Sequence, residues 1–201
     1  MALTTYAELQ AAIEDQLARG DLDSQIPDFI TLFEAEANRE LFRHRLAETS
    51  TSLTTSSGNA SLPADYMGWR RATYAGSTRI ELDYIHPSML QAYYPSSATG
   101  KPQAFTIEGS TFKARPADDT TAIEFGYFAK PAALSASLSW LFTKHPDAYF
   151  FGSLEQAYLY VKDYEQSAPW ALKKSIVFDH IKKQRFREDG ALSIRIMGNT
   201  P

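Results

Sequence analysis

The chain has no cysteine among its 201 residues, which excludes disulfides, thiolate metal sites and cysteine nucleophiles. It has no apolar run near the ~18 residues that a membrane helix needs, and its start, MALTTYAELQ, has neither a basic head nor an apolar signal core. The expectation is a chain made and used in a cytoplasm, or in something assembled there. Repeats at a fixed period are missing, as are a glycine-rich phosphate loop and the Gly-x-Ser-x-Gly turn of a nucleophile elbow. His44, His86, His145 and His180 are scattered singly, with no second ligand type at i+3 or i+4 in a pattern that would make a metal site. Asp118-Asp119 and the pair Asp21 and Asp23 read as turn carboxylates. No residue set supports an enzyme, and no catalytic residue, metal or cofactor is expected.

What is present is an ordinary soluble composition, 44% hydrophobic and 22% charged, with a generous 13% of aromatics. Surplus aromatics suit a thick core and subunit interfaces alike. The net charge of −4 hides an asymmetry: Trp170 to Glu188 holds Lys173, Lys174, Lys182, Lys183, Arg185 and Arg187 against Asp179 and Glu188. A basic helix of this kind reads as a nucleic-acid footprint, a solvated face, or a surface that pairs with an acidic protein partner.

The chain is organised around Asp21 to Arg45, DLDSQIPDFITLFEAEANRELFRHR. Ser24 is placed to cap a helix, Pro27 falls in its first turn, and Ile30, Phe33, Ala37 and Leu41 recur at three-four-four spacing as one buried stripe. Upstream, Thr5 and Glu8 form a capping-box pattern before the apolar face Tyr6, Leu9, Ile13 and Leu17, which stops at Gly20. The short connection predicts a helical hairpin. From Glu48 the texture turns to Ser and Thr, and strands are predicted over 49–55, 67–74, 78–85, 104–108, 111–114 and 122–128. Glu108-Gly109-Ser110-Thr111 is the clearest hairpin, and His86 to Thr99 reads as a brief helix from Pro87 to Tyr93 with a Ser-rich tip.

After the hinge Trp140-Leu141-Phe142, Thr143 or His145 is placed to cap a helix whose face is Tyr149, Phe150, Leu154, Ala157, Tyr158 and Val161. Gln166 to Pro169 is expected to break it. Trp170, Leu172, Ile176, Val177, Ile181 and Phe186 then support a last helix, with its basic residues mostly on the other side. The tail ALSIRIMGNTP alternates Leu192, Ile194 and Ile196 and wants a partner, since water is a poor environment for Leu, two Ile and Met.

The expected fold is α+β: mainly an α-helical bundle of two N-terminal and two C-terminal helices, with an inserted small antiparallel β domain. The bundle takes 1–48 and 132–188, the β domain 49–131 and the C-terminal tail 189–201.

Three stretches resemble the tailed-bacteriophage head-to-tail adaptor, or connector, family. They are Gly20-Asp21-Leu22-Asp23-Ser24-Gln25-Ile26-Pro27-Asp28-Phe29-Ile30 running into Glu34-Ala35-Glu36-Ala37-Asn38-Arg39-Glu40-Leu41; Leu62-Pro63-Ala64-Asp65-Tyr66 leading to Trp69-Arg70-Arg71 and Glu81-Leu82-Asp83-Tyr84-Ile85; and Tyr127-Phe128-Ala129-Lys130-Pro131-Ala132-Ala133-Leu134-Ser135 through Trp140-Leu141 to His145-Pro146-Asp147-Ala148-Tyr149. Leu138-Ser139 stands where family members often have Asn before the Trp-Leu pair. The resemblance implies a virion structural protein at the head–tail junction, assembled in the host cytoplasm, without a membrane. It implies a homo-oligomeric ring, expected to be a dodecamer, between the portal protein and the tail or next connector protein, with DNA passing through the lumen unread. On that reading Lys182, Lys183, Arg185 and Arg187 with Leu192, Ile194, Ile196 and Met197 form the portal interface. A nucleic-acid-binding module using the basic C-terminal helix is the alternative.

Overall fold

The structure, a computed structural model, describes residues 3–41, 43, 47–76, 78–95, 98–118 and 122–188, the last five by backbone alone. Among these the fold is α+β, with six α-helices and two four-stranded sheets. It divides into two compact units, Met1–Arg45 with Ala132–Pro201, and Leu46–Pro131.

In the helical unit α1 is Tyr6–Leu17. The Glu8 N–H donates to Thr5 Oγ1 at 3.2 Å and the Glu8 carboxylate accepts the Thr5 N–H at 3.1 Å, the reciprocal capping box that the sequence predicts. A 3-10 helix, Gly20–Gln25, runs directly into α2, Ile26–Leu41. Ser24 therefore does not cap α2: the backbone is already helical there, and the Ser24 hydroxyl donates to the Gln25 side chain. Ile30, Phe33, Ala37 and Leu41 are all buried, together with Ile26 and Phe29. α2 packs chiefly on a later helix, while α1 touches both.

The expected hinge is a short helix, α4 (Trp140–Lys144; α3 lies in the other unit), because Ser139 Oγ accepts the Phe142 N–H at 3.1 Å and starts it. α5 is Pro146–Tyr160. Neither expected cap operates, since the Thr143 hydroxyl donates back to the Ser139 carbonyl within α4 and His145 makes no side-chain cap bond. α6, Tyr164–Glu188, begins five residues before Pro169, so the expected break at 166–169 is misplaced. The chain turns instead at Lys162, whose φ is 61°, and Asp163 Oδ1 caps the new helix by accepting the Gln166 N–H at 3.1 Å. Pro169 then costs α6 one backbone bond in its second turn.

Phe33 is the centre of this unit's core, with Tyr149 at 4.9 Å and Phe178 at 6.0 Å between ring centroids. α5 comes so close that a Cβ on Gly152 would lie 1.9 Å from Phe33 Cδ2. The Glu34 carboxylate accepts the Leu134 N–H at 2.8 Å and the Tyr149 hydroxyl at 3.3 Å, and Ser139 Oγ bonds the same hydroxyl at 2.9 Å. Burial, with the Glu34 charge beside it, pushes the Tyr149 phenol well above the usual tyrosine range.

The β unit contains β1 (Glu48–Leu53), β2 (Asn59–Ser61), β3 (Tyr66–Ala75), β4 (Arg79–Glu81), β5 (Asp83–Tyr84), α3 (Pro87–Tyr93), β6 (Ala104–Glu108), β7 (Thr111–Arg115) and β8 (Ile123–Ala129). One sheet has the order β1-β8-β3-β4 and is antiparallel throughout; the other has the order β2-β7-β6-β5, with β5 and β6 parallel. The expectation of a purely antiparallel domain fails at the strand predicted over 78–85. Leu82 donates its N–H to the Ala72 carbonyl in one sheet and Asp83 donates to the Gln103 carbonyl of the other, so the chain changes sheets between adjacent residues. The parallel pair that results needs a crossover, and α3 lies in it. His86 Nδ1 accepts the Ser88 N–H and starts α3 over the predicted range; residues 96 and 97 of the Ser-rich tip lie outside the described residues.

The β6–β7 hairpin turns at Gly109, whose φ of 58° is the left-handed value such a turn takes. The core is mainly aromatic: Phe105 stacks on Phe112 at 5.2 Å, Phe112 meets Phe125 edge-on at 5.3 Å across the two sheets, and Phe125 stacks on Tyr127 at 5.7 Å.

Candidate assembly surfaces

His86, His145, Asp118 and Asp21 take part in the fold, and His44 and Asp119 lie outside the described residues. Among the described residues no group of three or more His, Asp or Glu is placed to hold a metal. His86 caps α3, while burial lowers the pKa of His145, with Asp147 opposing and Lys144 adding to the effect. Asp118 accepts the Tyr74 hydroxyl at 2.5 Å, and Asp21 pairs with Arg19 at 2.8 Å. A cleft of about 270 Å³ on the antiparallel sheet is lined by Ser50, Thr51, Ser52, Arg71, Glu124 and Gly126. It holds hydroxyls, but neither a histidine nor a lysine to activate one.

The basic helix is turned partly inward. Lys174, only 7% exposed, sits between Glu36 of α2 and Glu155 of α5 with 2.5 Å to each. Burial works against its ammonium, but the hydrogen bonds to Glu155 and Glu36 outweigh that and raise its pKa above the ordinary lysine value. Lys182 meets Glu40 at 2.5 Å, and Lys173 lies 4.3 Å from the centre of the Trp170 ring. Lys183 is exposed and makes no ion pair among the described residues. The expectation that the basic residues lie mostly away from the apolar face is corrected at Lys174, which the two carboxylates draw into the core. Of the other expected portal residues, the side chains of Arg185 and Arg187, and all of Leu192, Ile194, Ile196 and Met197, lie outside the described residues.

The outer side of α6 carries two large apolar residues among its polar ones. Ser167, Lys174, Phe178 and Ile181 are buried, so Leu172 and Ile176, which the sequence analysis puts inside, are on the opposite side at 63% and 48% exposure. Phe178 takes the buried place. Leu32 and Tyr160 are also exposed, the latter on Phe29 at 5.4 Å. Glu14, Asp15, Asp21, Asp23 and Asp28 are all exposed, and Arg19 is the one basic residue in that stretch. In the β unit, Trp69 and Tyr84 stack at 5.1 Å with a face left to solvent.

The four sheet edges differ. β4 and β2 have three residues each and β5 two. β1 has six, ETSTSL, paired in unbroken register with β8 on one side only. It carries no Pro, Lys, Arg or bulge, devices by which proteins usually close an edge, and its one charged residue is Glu48 at its first position. The sequence predicts β1 as a strand, but the partner order that leaves it at an edge depends on long-range pairing.

No apolar helix long enough to cross a membrane is found among the described residues. No curated protein matches the sequence. The family model for SU10 adaptor protein matches residues 4–191, so it spans both units and the insertion of the β strands between the helices. By that match over nearly its whole length, the chain belongs to the SU10 adaptor protein family, a phage head-to-tail adaptor family.

Proposed function

We propose that this virion protein forms a ring beneath the portal, a dodecamer, and joins capsid to tail while DNA passes through the lumen without being read. Membership of the adaptor family carries the reading. The exposed Leu172 and Ile176 and the acidic stretch from Glu14 to Asp28 support it, because a ring subunit must present two different patches to its neighbours. α1, α2, α5 and α6 serve as the bundle that holds these patches. The basic end of α6, Lys182, Lys183, Arg185 and Arg187, meets the portal by charge pairing, and Leu192, Ile194, Ile196 and Met197 add apolar insertion. Assembly takes place in the host cytoplasm, and the tail or next connector protein binds the opposite side. The nucleic-acid alternative loses support, since Lys174 and Lys182 are already matched to carboxylates.

Mass photometry of the protein with purified portal rings tests the reading. The expected result is a large stoichiometric gain in mass on the portal; portal rings of unchanged mass overturn it. Deleting residues 191–201 should weaken that gain, and capsids that still keep their DNA and accept tails without those residues overturn the tail's share of the contact.

A further inference from the structure

β1 is a long edge left open in a unit whose other edges are two or three residues long. Its pairing fixes what each side chain faces. Thr49, Thr51 and Leu53 lie opposite Tyr127, Phe125 and Ile123, on the side of the aromatic core, whereas Glu48, Ser50 and Ser52 lie opposite Phe128, Gly126 and Glu124 on the outer side. Leu53 is buried, Thr51 half-buried and Thr49 exposed, so the core side opens progressively along the edge. A strand laid there needs apolar residues at alternate positions toward the core side and polar ones between them.

Within this chain the stretch 191–197, Ala-Leu-Ser-Ile-Arg-Ile-Met, has that pattern. Leu192, Ile194 and Ile196 alternate with Ser193 and Arg195, and seven residues match a six-residue edge. We infer that the edge of β1 in one copy is covered by residues 191–197 of a second copy, added as a strand. The donor and acceptor surfaces differ, so the contact is heterologous and repeats from copy to copy, as a ring requires. The inference rests on the ring reading and gives the tail a seat on a neighbour before it meets the portal. Backbone ladder bonds supply affinity, and the alternating side chains supply register.

The absence of native cysteine allows a clean test. Ser50→Cys or Ser52→Cys is made in one batch of full-length chain and Ser193→Cys or Arg195→Cys in another; the batches are mixed under oxidising conditions, with and without portal rings, and run on non-reducing gels. A two-chain band that appears in at least one of the four mixtures and not in either batch oxidised alone is expected, and it should be lost when Thr51→Lys is added to the acceptor or Ile194→Lys to the donor. No two-chain band in any mixture overturns the inference, as does a band that survives both lysines. A third batch carrying Ser52→Cys and Ser193→Cys in the same chain that cross-links only within single chains also overturns it. Mass photometry on the same samples separates the two readings: a gain on portal rings without the band leaves the adaptor reading standing alone, and the band without a gain retains the strand contact and removes the portal role.

Discussion

The two units fix their geometry by different means. In the helical unit, α2, α5 and α6 are keyed together by charge: Lys174 bridges Glu36 and Glu155 within the packed interior, and Glu34 ties Leu134 and Tyr149 to α2. In the β unit, rings set the spacing between sheets, and ion pairs such as Lys113 with Glu108 and Arg79 with Glu124 lie on partly exposed surface. A buried ion pair selects one register because breaking it leaves a charge stranded, whereas stacked rings supply apolar burial and contact enthalpy with a softer preference for register.

That difference can be broken from either side. Lys174→Met should cost about 3–5 kcal/mol, because Glu36 and Glu155 are left facing each other without a cation. Denaturation followed by Trp140 and Trp170 fluorescence in a Trp69→Phe background reads it. Replacing Lys174, Glu36 and Glu155 together with apolar residues of similar volume should recover most of that loss. Phe112→Ala should cost about 3–5 kcal/mol in the β unit, reported by Trp69 alone, since it removes a ring between Phe105 and Phe125. Gly152→Ala should destabilise by about 1–3 kcal/mol, the reverse of the gain expected from Gly to Ala in a helix, because Phe33 occupies the space. Thermal unfolding by circular dichroism measures it.

Smaller effects sharpen the comparison. Thr5→Ala should cost about 1 kcal/mol through the lost capping bond, visible as earlier fraying of α1 in amide exchange. His145 has the smallest expected effect. Its folded pKa lies below the ordinary value, so the unfolded chain takes up a proton first. Stability is complete above about pH 6.5 and falls as the pH drops from there through the folded pKa. Urea midpoints between pH 8 and 5 should decline less in His145→Gln than in the parent.

Local signals were readable in the sequence. Thr5 with Glu8, the stripe Ile30 to Leu41 and the turn at Gly109 are decided by neighbours within a few residues. α6 was harder because apolar residues lie on two sides of it, Leu172 and Ile176 on one and Val177, Phe178 and Ile181 on the other, so periodicity alone does not say which side is buried. The carboxylate that holds Lys174 from α2 is 138 residues away in sequence, beyond any periodicity. The break at Leu82 is equally silent, since alternation looks the same when a strand passes from one sheet to another. Of the candidate assembly surface, the basic helix could be named in advance; the open edge of β1 could not, because strand order is a property of the whole sheet.

The pairing of β1 with β8 has one more consequence. The first and last strands of the β unit are hydrogen-bonded neighbours, and Glu48 stands opposite Phe128. The chain therefore leaves the unit beside where it came in, and about 5 Å separates the two crossing points. A segment with such close ends behaves as a cassette: a tight turn joining 48 to 128 would close the gap its removal leaves, and a different module with equally close ends would fit the same two junctions. Exchange of the strand-rich portion at those junctions should leave the helices around Phe33 with the core they already have.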